Sequence, residues 1–194
     1  MKHRSSRILF EHWHERRGSR ALPERSAIDP GAIRAGLGDI FILAFNRREG
    51  HPFRLAGTRV SALAGGDLKD RSFVSLWEPA QQAEIVRVAD LIADESIGIV
   101  AGVAARAEED LVLDLELLLL PLRHWGRTHV RLIGALAPLS LPDWFGTRSV
   151  GPLVLGDYRY VGLRAADRFP VASALLRRDA KVRRGLIVYD GGRR

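Results

Sequence analysis

The sequence predicts an α+β fold. It has a five-stranded antiparallel sheet with helices on one face, an N-terminal helix before it and an irregular C-terminal extension after it. Three observations predict this. Apolar residues recur at helical spacing across residues 79–94 (Ile85, Val88, Ala89, Ile92), and the period switches to two after Ser96. The three strand-like runs after that switch are joined by turns too short for a crossover, so they form an antiparallel meander. Two earlier runs, DIFILAFN and HPFRLAG, flank the turn REGHP and make a hairpin.

Taken in order, residues 4–17 predict a helix with Ile8, Leu9, Phe10 and Trp13 as its apolar group and Gly18 as its stop. Asp29-Pro30 predicts the start of a short helix, Asp as N-cap and Pro at the first helical position. In the first hairpin, Phe41, Leu43 and Phe45 share one face, Ile40, Ile42 and Ala44 the other. Phe53 and Leu55 are expected on one side of the second strand and Arg54 on the opposite side. Thr58 is expected to cap a short helix that ends at Gly65-Gly66. Glu78-Pro79 opens the longer helix. In DLVLDLELLLLPL, Leu111, Leu113, Leu115, Leu117 and Leu119 lie on one face and Val112, Asp114, Glu116 and Leu118 on the other. Beyond Pro138 the signals thin to turns and one or two short strands. The organisation expected is a helical extension over 1–25, a core domain over 26–140 and a basic, partly irregular extension over 141–194.

The chain has 194 residues, 46% of them hydrophobic and 27% charged, enough for one domain with a substantial core. Cysteine is absent, which excludes disulfides, thiolate zinc sites, cysteine nucleophiles and cysteine-based flavin photochemistry. No segment reads as a membrane span or a signal peptide, so a soluble cytoplasmic protein is expected. The net charge of +7 is uneven: residues 1–25 carry +4, residues 26–139 carry −3 and residues 140–194 carry +6. Attraction to phosphates or acidic partners would therefore reside in the ends of the chain.

GTRVSALAGG raises a choice between a phosphate loop and a corner. A Walker loop needs a Lys after its last Gly, and a dinucleotide fingerprint needs three glycines between a strand and a long helix. Here glycines bracket a short helix and no Lys follows, so the stretch reads as a corner. The order of two strands, short helices, a longer helix and three antiparallel strands resembles a PAS domain. GSRALPERSAIDP, FRLAGTRVSALAGGDL, FVSLW, LIGALAPLS, PDWFG and the LIVYDGGRR ending are similar to the small stand-alone bacterial PAS proteins of PAS family five, formerly a domain of unknown function. The resemblance covers nearly the whole chain. It implies a sensory or regulatory role, with no established ligand, cofactor or catalytic residue. A haem-binding PAS domain usually places a His on the long helix, and residues 79–94 hold none.

Candidate chemistry is sparse. His12 and His14 point about 200° apart on a helix and cannot grip one metal; both read as surface residues. Asp114 and Glu116 share a strand face at about 7 Å, which suits paired carboxylates. A solvent-facing half-strand, paired to Arg131 or Arg106, explains them more simply. No acid, base and nucleophile converge, so the chain reads as non-catalytic. Phe41, Leu43, Phe53, Leu55, Phe73, Trp77, Ile85, Leu113, Leu115, Val130 and Leu132 are expected between sheet and helices, as a packed core or as the lining of a small-molecule pocket. The outer sheet face carries Val112, Leu118 and Leu120, an apolar strip that something must cover. The N-terminal helix, through Leu9, Phe10 and Trp13, can cover its own sheet or a partner's, and a homodimer is expected. The reading is a PAS-type regulator that acts in trans through a ligand or a protein partner. The alternative is a nucleic-acid-associated regulator whose Arg177, Arg178, Lys181, Arg183 and Arg184 contact phosphates.

Overall fold

The computed structural model describes residues 1–107, 111–148 and 150–162, and the backbone of 181–183 and 186–188. The last two stretches are strands β7 (Lys181–Arg183) and β8 (Leu186–Val188), an antiparallel ribbon in a separate compact unit, residues 163–194. Of the five residues proposed to meet nucleic acid, Arg177, Arg178 and Arg184 lie outside the described residues. Among the described residues, no helix is long and apolar enough to cross a membrane.

Residues 1–162 form the main unit. Its strands are β1 (Ile40–Ala44), β2 (Phe53–Ala56), β3 (Gly98–Arg106), β4 (Val112–His124), β5 (Arg127–Pro138) and β6 (Leu153–Val161), in the sheet order β2-β1-β5-β4-β3-β6. All neighbouring pairs are antiparallel. The meander is as expected. The strand count is a correction: LVLGDYRYV, in the stretch expected to hold one or two short strands, pairs along the free edge of β3 as a sixth strand. Its glycine and charges dilute the alternation, yet Leu153 and Leu155 are buried on the inner face. This outer edge is occupied at one point by the Gln81 amide, which accepts the Leu155 N–H at 2.7 Å and donates to the Leu155 carbonyl at 3.0 Å.

The helices are α1 (Arg4–Arg17), α2 (Thr58–Leu63) and α3 (Gln82–Glu95). The inner sheet face packs against α2, α3 and the segment between them; Phe41, Leu43, Leu113, Leu115 and Leu132 meet Val60, Leu63, Phe73, Trp77, Ile85 and Ile92 there. The opposite face packs under α1: Leu9 and Trp13 join Leu118, Leu120, Leu122, Ile133 and Ala135. The Trp13 indole donates to the Pro121 carbonyl at 2.8 Å, which fixes its depth. The N-terminal helix thus lies on its own sheet, and helices occupy both faces rather than one.

Three local expectations are corrected. Leu55 faces outward, 46% exposed. It stands opposite Ile42, while Phe53 stands opposite Leu43, so one extra residue sits between them. Such a bulge flips every side chain beyond it to the other face. Thr58 opens α2 as a helical residue; Gly57 is the N-cap and no side chain bonds there. Gly57 is required because a Cβ would collide with the carbonyl oxygens of Leu37 and Gly38. Asp29 starts a turn, its carboxylate accepting the Gly31 N–H at 2.8 Å, and the 3₁₀ helix Arg34–Asp39 follows.

Trp13 plugs the seam between α1 and β4 with no exposed surface. Trp13→Ala is expected to lower the unfolding free energy by about 3–5 kcal/mol. A urea midpoint unchanged from the parent would show that α1 does not hold this face.

Candidate functional site

The interior predicted as core or pocket is tightly filled. Phe41, Leu43, Phe53, Phe73, Trp77, Ile85, Leu113, Leu115 and Leu132 are all buried in one cluster. Phe41 and Phe73 stack at 5.6 Å, and Phe53 meets both edge-on at 5.6 and 5.8 Å. Trp77 closes the cluster edge-on to Phe73 at 5.6 Å. Val130 is only half-buried, and its carbonyl accepts the Phe45 N–H. Beside the cluster lies an apolar cavity of about 30 Å³, lined by Val60, Leu63, Leu76, Leu136 and Val150 among others. It has room for one water-sized molecule.

His51 was not singled out from sequence. It closes the β1–β2 hairpin with a left-handed backbone, φ 56°, and is fully buried against the Phe45 ring, 4.9 Å between centroids. Its Nδ1 accepts the Asn46 N–H at 3.3 Å, while its Nε2 has no hydrogen-bond partner. Burial lowers its pKa below 6.5; the Asp90 carboxylate pulls upward and the Arg47 guanidinium pushes down. The signal available in sequence was a histidine between a turn glycine and a proline, which is too common to interpret.

Two buried carboxylates fasten α1 to the sheet. Asp39 has no exposed surface. It accepts the Ser5 hydroxyl of α1 at 2.6 Å and a two-pronged Arg59 guanidinium from α2 at 2.5 and 2.7 Å. That fork raises the Arg59 pKa, burial working against it. One carboxylate at the start of β1 therefore holds both the helix outside the sheet and the helix inside it. Glu116 is the second. It was expected in solvent beside Arg131 or Arg106; instead it is buried and accepts the backbone N–H groups of Lys2, at 2.5 Å, and His3, at 3.0 Å, just ahead of α1. Burial pushes its pKa up, but the Lys2 N–H and the His3 N–H help to outweigh that and leave it lowered. Its neighbour Asp114 does stay at the surface. His12 is likewise corrected: it is buried, and its Nε2 accepts the Asp29 N–H at 3.0 Å.

The helix covers only part of the outer face. Leu118 and Leu120 are fully buried with Leu9 and Trp13, whereas Phe10 is half-buried at their margin. Val112, two residues before Asp114, is 57% exposed. Past the N-terminal end of α1 an open groove of about 430 Å³ runs between β3, β4 and β6, bordered by Met1, Lys2, Gly102, Glu116, Asp157 and Arg159 among others. At the far end of the sheet the β4–β5 turn displays Trp125, 87% exposed, with the His124 ring stacked on it at 4.4 Å. Among the described residues, no group of three or more His, Asp or Glu side chains is placed to hold a metal ion.

An antiparallel sheet with small helices across one face and a further helix on the other is an α+β architecture. A family model described as a PAS domain matches residues 1–137, and the chain belongs to that family. No curated protein is significantly similar to the chain.

Two predictions come from these groups. Asp39→Ala strips Ser5 and Arg59 of their shared acceptor. Arg59 reaches solvent, so the expected loss is about 2–3 kcal/mol, below that of a fully buried pair; an unchanged urea midpoint would remove the fastening role. On acidification, stability falls in two windows. A histidine whose folded pKa is depressed stabilises fully above 6.5, and that contribution is lost as pH falls below it. Glu116, also depressed, contributes above 4.5 and loses that contribution as pH falls through its folded pKa. His51→Asn, which tolerates the left-handed backbone, is expected to flatten the upper window alone in a urea series from pH 7.5 to 5. A parent profile already flat there would contradict the burial of neutral His51.

Proposed function

We propose that this is a non-catalytic PAS-type sensory or regulatory protein of the cytoplasm, acting in trans through an interaction that depends on a ligand or a protein partner. PAS membership gives the sensory class. The observation that carries the finer reading is the Asp39 junction, which joins Arg59 of α2 to Ser5 of α1 across the end of the sheet. Any event that shifts α2 on the inner face alters the fork on Asp39 and with it the hold on α1. Release of α1 uncovers Leu118, Leu120 and Leu122, an apolar stripe that a partner can take up. The same contacts made reciprocally, with Leu9, Phe10 and Trp13 of one copy on Leu118 and Leu120 of another, give a homodimer by exchange of α1. A small molecule that enters the inner face must displace part of a filled core, so ligand binding and helix release are linked by packing.

The test is amide hydrogen exchange on the parent and on Arg59→Ala. The substitution is expected to speed exchange in residues 8–17 of α1 while the amides of β4 and β5 stay protected. Equal exchange in α1 would overturn the coupling. Native mass measured beside denatured mass then separates the two inputs. A mass excess lost on denaturation indicates a bound ligand, and no excess indicates a partner-driven regulator.

A further inference from the structure

The turn that joins β1 to β2 hangs on one imidazole. Residues 46–51 close on themselves twice. The His51 N–H donates to the Asn46 carbonyl at 2.8 Å, and the Asn46 N–H donates to His51 Nδ1 at 3.3 Å. The same turn is pinned to the segment between α2 and α3. The Phe73 N–H donates to the His51 carbonyl at 3.4 Å, and the Val74 N–H and the Ser72 hydroxyl donate to the Gly50 carbonyl, each at 3.1 Å. Phe73 is the ring that Phe41, Phe53 and Trp77 all meet. One buried side chain therefore sets the turn, and the turn holds the backbone of the central ring of the interior.

A ring nitrogen that accepts a hydrogen bond carries no proton, so His51 is neutral with its proton on Nε2. That Nε2 N–H has no partner, and the residue has no exposed surface. A second proton must enter at Nδ1. There it turns the acceptor into a donor aimed at the Asn46 N–H, leaves two buried donors where one is already orphaned, and sets a charge beside the Phe45 ring away from water. The charged ring and the closed turn are incompatible. The surrounding groups do not rescue the charge in place. Asp90 of α3 attracts it, but Asp90 is already paired with Arg47 at 2.6 Å, and Arg47 repels it. Ser72, Phe73 and Val74 bring no charge. On β5, His129 meets the Phe45 ring at 5.6 Å, but it is exposed and its ring bonds Thr128 and Asp94 rather than the turn.

We infer that His51 is a proton-operated latch: neutral, it locks the 46–51 turn against Phe73, and protonated, it leaves its place and frees that turn. Phe73 then loses its backbone anchor, and the aromatic cluster loses its fixed packing. Acidification is thus an input of its own beside the ligand or partner considered above. It acts from the hairpin end of the inner face and does not depend on the Asp39 junction or on release of α1.

Amide protection factors of the full chain between pH 7.5 and 5.5 test the latch. Those of His51, Phe73 and Val74 are expected to fall below pH 6.5, approaching about tenfold per pH unit, while those of β4 and β5 hold. His51→Asn is expected to remove the response and His129→Asn to keep it; asparagine suits the left-handed backbone at both positions. Imidazole nitrogen spectra of the parent need no variant: at pH 7.5 they are expected to show His51 Nδ1 without a proton, and a proton there would overturn the latch. So would a response that survives in His51→Asn or is lost in His129→Asn. Protection lost in step across β4 and β5 would do the same, because His51 would then act only through global stability.

Discussion

Strand β4 is apolar on both faces, and that constraint governs the architecture. Leu113, Leu115, Leu117 and Leu119 point to one side, and Leu118, Leu120 and Leu122 to the other. A strand of this kind is stable only if both faces are removed from water. The inner side is met by α2, α3 and the aromatic residues between them. The outer side is met by one helix of fourteen residues, and its reach sets where the protein is closed and where it stays open. Under α1 the sheet is dry. Beyond its N-terminal end lies the groove beside Glu116, and on β2 Leu55 stays exposed.

A helix laid on an apolar sheet is free to slide unless polar contacts fix its register. Asp39 and Glu116 do this at the N-terminal half of α1, and Trp13 does it further along through the Pro121 carbonyl. The two carboxylates differ in what they bind. Glu116 accepts backbone N–H groups ahead of the helix, so its hold is indifferent to which side chains follow. Asp39 depends on one serine and one arginine from opposite layers, so its hold registers the position of both. In a domain whose interior is packed with aromatic rings, such a polar junction is the route by which a movement on one side reaches the other.

Much of the fold was legible because periodicity reports burial directly. The boundaries of α1, the alternation of β4 and the helical face of α3 all follow from apolar spacing. What was not legible has one cause: features set by partners distant in sequence. The bulge before Leu55 leaves no local mark, so alternation put that residue inside. Glu116 looks like the solvent half of a strand, because its donors lie more than one hundred residues away. His12 looks exposed for the same reason, its partner being a backbone N–H in the following loop. Thr58 is a good cap by composition, yet the close approach of Leu37 and Gly38 demands glycine at the preceding position. The inward-facing residues were anticipated one by one, apart from Leu55 and the half-buried Val130, with core or pocket left open. Alternation shows which side chains face inward. The space left between them depends on how their shapes interlock.

The amide of Gln81 has a wider consequence. An antiparallel sheet ends in strands whose outer peptide groups are unsatisfied, and two copies of one chain can join there head to tail without closure, giving an open-ended polymer. At β2 the strand is only four residues long. At β6, nine residues long, the Gln81 side chain satisfies both backbone groups of Leu155 as a peptide from another strand would. One glutamine ahead of α3 thus stands in for an incoming strand and interrupts the ladder before a neighbour can extend it. The Glu78 N–H, bonded to the Leu153 carbonyl at 2.9 Å, extends the same cover, so the residues leading into α3 cap this edge.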